Sequence, residues 1–179
     1  DLVKEGSSWN EVVILAKALE ASGVTLLNTG IGWHESRVPT IASCVPKGGF
    51  SEITYRLKQE VSVPLITSNR INDPHQIEQL LSQGYADMVS MARPFLADPD
   101  FVKKAFSEQA HRINPCIACN QACLDHVFAK KRATCLVNPR AGYETEWVIT
   151  TASKTKKIAV VGAGPAGLSF ACMAASRGH

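Results

Sequence analysis

The chain has 179 residues, 45% of them hydrophobic and 20% charged, with a formal net charge of +3. That is enough apolar material for one or two buried cores. The thin positive charge forms no basic stripe interleaved with aromatics, which argues against nucleic acid as a partner. No secretory signal, lipidation motif or long apolar run is visible, so the expectation is a cytoplasmic protein with no membrane partner.

The first hundred residues alternate strand-like and helix-like patterns. Ser8-Trp9-Asn10-Glu11 has the form of a capping box. Val12, Leu15, Ala16 and Leu19 then share a helical face that Gly23 ends. Thr25–Thr29 reads as a buried strand ending at Gly30. Ile53, Leu57 and Val61 mark the next helix, and 64–67 the next strand. Asp73 as cap and Pro74 at the first helical position open a third helix, with Ile77, Leu80 and Leu81 on its apolar face. A strand at 88–91 and a helix opened by Asp98-Pro99 follow, with Val102 and Phe106 expected inside. Strands alternating with helices imply parallel βα units. They are too few to close a barrel and read as the last part of one.

Four cysteines come next, in the run CIACNQACLDHVFAKKRATC: Cys116, Cys119, Cys123 and Cys135. The C-x2-C-x3-C spacing with one thiol downstream favours an iron–sulfur cluster over zinc, which usually takes two separated C-x2-C pairs. The bland alternative is four buried reduced thiols. Asn114-Pro115 before the run and Asn138-Pro139-Arg140 after it describe a loop-rich segment held by its metal. Cys44 and Cys172 lie outside the group and are expected to be small core side chains. Lys154, Lys156 and Lys157 read as a solvated linker. Beyond them, 156–161 forms a strand pattern, followed by Gly162-Ala163-Gly164-Pro165-Ala166-Gly167 and a helix carrying Leu168, Ala171, Cys172 and Ala175. Between strand and helix, G-x-G-x-x-G lets the backbone approach a pyrophosphate. Both ends look cut, so a piece of a longer protein is expected.

In a parallel α/β barrel the active site sits where strands end. After 25–29 comes the polar run GIGWHESR, in which His34 could move a proton near neutral pH, although a lone loop histidine is more often structural. Asn69-Arg70 and Ala92-Arg93-Pro94 follow the next two strands. Arginines and free amides on adjacent late loops are where barrels often hold a phosphate, with a surface ion pair as the alternative.

The motifs NTGIGWHESR, NRINDP, DMVSMARPFLADPDF, CIACNQACLD and VVGAGPAGL, in this order, closely resemble the NADPH-dependent 2,4-dienoyl-CoA reductases of bacteria. These belong to the Old Yellow Enzyme-like flavin oxidoreductases that carry an iron–sulfur cluster. The resemblance spans essentially the whole chain. It implies the late βα units of an FMN-binding TIM (β/α)8 barrel over 1–110. A 4Fe–4S segment over 111–150 and the first β-α unit of a Rossmann-like FAD domain over 151–179 complete the plan. It further implies electron flow from NADPH to FAD, through the 4Fe–4S cluster to FMN, and on to a 2,4-dienoyl-CoA thioester in unsaturated fatty acid β-oxidation. On that resemblance the four cysteines are cluster ligands, and His34 is an acid acting with a tyrosine supplied upstream. Arg70, Ala92 and Arg93 match FMN positions, and Gly162, Gly164 and Gly167 the FAD fingerprint. The rest of the parent chain is the implied partner, and this piece alone is expected to be inactive. An enoate reductase or a trimethylamine dehydrogenase-like enzyme on the same plan is the close rival. A zinc-stabilised, non-catalytic module is the rival from another class.

Overall fold

A computed structural model of the chain describes residues 4–33 and 36–179. His34 therefore lies outside the described residues. The chain divides into two compact units, Asp1–Gly142 and Tyr143–His179.

In the first unit, helix α1 (Trp9–Ala21) starts where the sequence predicts. The Glu11 amide donates to Ser8 Oγ, and the Ser8 amide donates to the Glu11 carboxylate at 2.7 Å, so two otherwise orphaned donors are satisfied. Strand β1 (Leu27–Asn28) follows, then α2 (Ser51–Lys58), β2 (Leu65–Thr67), α3 (Pro74–Ser82) and β3 (Met88–Val89). The Asp73 side chain caps α3 by accepting from the His75 amide, with Pro74 in its first turn. The three strands are parallel in the order β1-β2-β3, with Leu27 opposite Leu65 and Thr67 opposite Val89.

One core holds α1 and α2 against this sheet. Val13, Ala16, Leu57 and Leu65 are buried together, with Trp9, Val12, Leu27, Val61 and Val63 packed around them. Outside it, the Arg56 guanidinium lies 4.2 Å from the centre of the Trp9 ring, a contact that favours a cation over an aromatic face. Glu20 accepts from the amides of Ser62 and Val63, which fixes the turn into β2. Asp87 does the same one strand later, accepting from the Leu65 amide and from Lys58. Behind the strands Thr29, Thr54 and Thr67 form a buried chain of hydroxyls with contacts of 2.7 and 3.1 Å. All three are removed from water, and Thr29 Oγ1 also donates to the Ile66 carbonyl at 2.8 Å, so each hydroxyl has a partner.

The sequence reading and the structure differ at several places in this unit. The strand read as buried at Thr25–Thr29 forms only at Leu27–Asn28, with Leu26 exposed, and Leu15 of the expected apolar face of α1 is exposed while Val13 is buried. A short helix α4 (Arg93–Ala97) begins directly at Arg93, where the sequence suggested only a loop. The helix expected from Asp98-Pro99 begins two residues later, as α5 (Phe101–Phe106). On α5 Phe101 is buried, whereas Val102 and Phe106 are exposed rather than inside. A 3-10 turn (Ala110–Arg112) and α6 (Leu124–Phe128) complete the unit.

In the second unit the helix after the glycine motif forms as α7 (Pro165–Ser176), but residues 156–161 are not a strand. A strand exists only through its ladder to a neighbour, and among the described residues this segment has none. The first β-α unit of a Rossmann-like domain is thus realised only in its helix and its turn. Gly162 has a φ of +105°, and a Cβ on Gly167 would run into the Gly162 carbonyl oxygen, so both positions require glycine. Cys44 and Cys172 are exposed rather than in a core. Cys44 stands in an open loop, and α7 has no buried residue at all. Lys154, Lys156 and Lys157 are exposed, as a solvated linker would be. Among the described residues no helix is long and apolar enough to cross a membrane.

Candidate functional site

The C-terminal ends of the three parallel strands open onto one cleft of about 610 Å³. Asn28 reaches it from β1, residues 68–72 from the end of β2, and residues 90–94 from the end of β3. Cys116 and Cys123 close its far side. Of the site residues read from the sequence, Arg70, Ala92 and Arg93 meet in this one cleft.

Arg70 is aimed there by a strained turn. Asn69 and Arg70 are consecutive non-glycine residues with φ of 74° and 58°, each costing on the order of 1–3 kcal/mol. Three hydrogen bonds hold the turn. Ser68 Oγ donates to the Thr29 carbonyl at 2.5 Å, Asn69 Nδ2 to that of Ile31 at 2.9 Å, and the Gly48 amide to that of Arg70 at 2.8 Å. The loop at 41–45 then wraps both guanidinium groups with carbonyls. Arg70 Nε donates to Val45 and Arg93 Nη1 to Ile41, both at 2.9 Å. Neither arginine forms an ion pair with an acidic side chain among the described residues. Burial, and then repulsion from Arg93, pull the Arg70 pKa below the usual guanidinium value. A guanidinium stays charged through such a shift. Two neighbouring cations with no acidic partner among the described residues can receive an anion such as a phosphate.

The four cysteines of the sequence motif line a second, smaller void together with Arg93 and Asn120. None is in a disulfide, and all four are half-buried. The loop that gathers them turns through left-handed residues, Ala118 at φ 55° and Asn120 at φ 62°. Burial pushes the Cys123 thiol pKa up, against the Leu124 amide and Arg93, which pull it down. Among the described residues no group of three or more His, Cys, Asp or Glu stands close enough to hold a single metal ion. Tetrahedral zinc would draw its sulfurs to about 2.3 Å from one point, whereas a four-iron cube spaces them more widely. Four thiols lining one void are the donor set that an iron–sulfur group takes. The void itself is about 20 Å³, so the four thiols must draw apart, still facing it, to admit one.

Asparagines fasten the cysteine segment to the barrel part. Asn114 Nδ2 donates to the carbonyls of Ala97 and Val137, and Asn138 Nδ2 to that of Leu96. Asn72 Nδ2 donates to the Cys116 carbonyl at 2.6 Å, while its Oδ1 is buried without a partner. Asp98, 2% exposed, accepts from the amides of Asn114 and Asp100 and from Lys104. Sequence reasoning missed these residues. The two Asn-Pro pairs flanking the cysteines are the available signal, and on their own they indicate only loop punctuation.

The NADH:flavin oxidoreductase / NADH oxidase family matches residues 1–114 of the chain. The chain belongs to this family. A metal reductase of Desulforamulus reducens is 49% identical over 97% of the chain and 26% of its own length. Cinnamate reductase of Clostridium sporogenes is 33% identical over 98% of the chain and 27% of its own length. Among solved structures, a 2-naphthoyl-CoA reductase in complex with 2-naphthoyl-CoA superposes with a TM-score of 0.95. It is 36% identical and covers all of the chain and 28% of the other protein. The chain thus spans about a quarter of the length of these three relatives, each named as a reductase.

Proposed function

We propose that the protein carrying this chain is a flavin-dependent reductase of a conjugated alkene in an acyl-CoA thioester, specifically an NADPH-dependent 2,4-dienoyl-CoA reductase. The observation that carries the reading is the pair of adjoining chambers. A cationic cleft at the strand ends and a void lined by four cysteines have Cys116 and Cys123 as their common wall. The similarity to a reductase crystallised with a CoA thioester supports the substrate class.

In this reading Arg70 and Arg93 hold the phosphate of FMN, with the Ala92 backbone beside them. Cys116, Cys119, Cys123 and Cys135 hold a 4Fe–4S cluster. The turn of Gly162, Gly164 and Gly167 lets the chain approach the pyrophosphate of FAD. When bound, FMN supplies hydride chemistry and the cluster one-electron chemistry, with NADPH as the reductant. His34 donates the proton to the alkene carbon, because an imidazole holds an exchangeable proton near neutral pH. The exposed segment 156–161 waits for strands outside this chain, so the division at 1–110, 111–150 and 151–179 describes pieces of larger domains.

The test is Cys119→Ser in the full-length protein, purified without oxygen. It should lose iron, acid-labile sulfide and FMN reduction by NADPH. Undiminished electron transfer with no iron bound would refute the cluster assignment. Steady-state assays with a 2,4-dienoyl-CoA, cinnamate, dimethylamine and ferric citrate then settle the substrate. The 49% identity with a metal reductase favours metal-ion reduction as the second reading. Turnover of ferric citrate with no turnover of the thioester would select it.

A further inference from the structure

Arg93 borders both chambers, and one side chain ties it to the cysteine loop. Its Nη1 donates to Asn120 Oδ1 at 2.6 Å and to the Ile41 carbonyl at 2.9 Å. Asn120 closes the triangle by donating from Nδ2 to the same Ile41 carbonyl at 3.2 Å. Asn120 lies between Cys119 and Cys123 and sits in the left-handed region at φ 62°, two residues after Ala118 at φ 55°. Two separate pieces of chain, the loop at 41 and the cysteine loop, therefore fix the guanidinium that the start of α4 carries.

We propose that Asn120 is a positioning residue that links the anion site of the cleft to the occupancy of the cysteine void. The inference rests on the functional reading above and goes beyond it. With the four thiols tied to a metal centre, the loop cannot relax its two left-handed residues, and the Asn120 carboxamide is held against Arg93. With the thiols free, the loop can relax toward unstrained backbone, and Arg93 loses its strongest fixed acceptor. Phosphate affinity then falls. Because coupling between two binding equilibria is reciprocal, an anion between Arg70 and Arg93 strengthens the metal site by the same factor. The link acts on the phosphate alone, since it runs through Arg93 and not through the apolar part of the cleft.

The experiment compares FMN with riboflavin, which lacks the phosphate. Both are titrated by flavin fluorescence into the full-length protein, with its cluster and after anaerobic chelation. In the wild type, FMN should bind about tenfold more weakly without the cluster, within the usual span of coupling, and riboflavin should be unaffected. Asn120→Gly keeps the left-handed backbone without strain but removes the carboxamide. It should bind FMN weakly in both states. Asn120→Asp keeps an acceptor for Arg93 and should restore the difference between the two states, on an FMN affinity lowered in both because the carboxylate is a counterion to Arg93. The link is wrong if Asn120→Gly shows the full wild-type difference, or if riboflavin weakens alongside FMN. The wild-type comparison needs no variant, so a glycine form that failed to fold would leave the test intact. Iron and sulfide assays on the same samples separate the two ideas. A wild type free of iron refutes the cluster reading, whereas iron present with indifferent FMN affinity refutes the link alone.

Discussion

Asp98 should be one of the costliest side chains to remove, although it touches neither chamber's contents. Its carboxylate is 2% exposed. Lys104 Nζ donates to it at 2.5 Å, the Asn114 amide at 2.8 Å and the Asp100 amide at 3.0 Å. Burial alone would raise its pKa. The bonds from Lys104, Asn114 and Asp100 outweigh burial and leave it below the ordinary carboxylate value. Asp98→Ala strips three donors of their acceptor. Lys104 keeps 26% of its side chain in water, so its loss is modest. The part-buried Asn114 amide costs about 1–3 kcal/mol unpaired, and the amide of Asp100, just before α5, about 1 kcal/mol more. The sum is about 3 kcal/mol, at the low end for breaking a buried charge pair, or roughly a hundredfold in the folding equilibrium. Urea unfolding followed by circular dichroism at pH 7 measures it. Because the folded pKa is depressed, this stability is fully present above the unfolded value and is lost as pH falls through the folded one. The gap between variant and wild type should therefore close in acid. A variant within 0.5 kcal/mol of wild type at pH 7, or a gap that widens in acid, would refute the reasoning.

Arg70→Ala should weaken FMN binding about tenfold or more, the scale of a charged hydrogen bond, and leave riboflavin binding nearly unchanged. Equal losses for both ligands would move the phosphate elsewhere. In the full-length enzyme, His34→Ala should slow alkene reduction about a hundredfold or more while sparing FMN reduction by NADPH. An emptied flavin site with normal turnover per bound flavin would make the histidine structural. Asp87, whose pKa is lowered by the bond from Lys58 and then by the Leu65 amide, is part-exposed, and its pair is worth only about 0.5–1 kcal/mol. Asp87→Asn should lose that amount near pH 6 and match the wild type once acid has protonated the carboxylate. A difference that persists in strong acid would point to packing instead.

What could be read from the sequence was local. The capping box at Ser8 and Glu11, the Asp73-Pro74 helix start and the run of parallel βα units all rest on contacts within a few residues or on a simple period. What could not be read depends on partners far along the chain. Nothing near Asn69 and Arg70 announces two left-handed residues. The turn exists because Ile31, Thr29 and Gly48 bind it from elsewhere. The strand pattern at 156–161 is genuine as a pattern, but a strand needs a neighbour. The cysteines showed themselves by spacing, whereas Asn72 and Asn120 look like any loop asparagine until the fold sets them against Cys116 and Arg93.

Asn114 and Asn138, the clasps that bind the cysteine segment to α4, each stand directly before a proline. Asparagine ages mainly when the next backbone nitrogen attacks its side-chain carbonyl, and a proline nitrogen has no hydrogen to give up. Both clasps are thereby shielded from slow conversion to aspartate, which would set a carboxylate against a carbonyl oxygen. Asn72 and Asn120 precede Asp73 and Gln121 and lack that shield. In a protein kept for a long time, the contacts of Asn72 with Cys116 and of Asn120 with Arg93 should decay chemically before the clasps do.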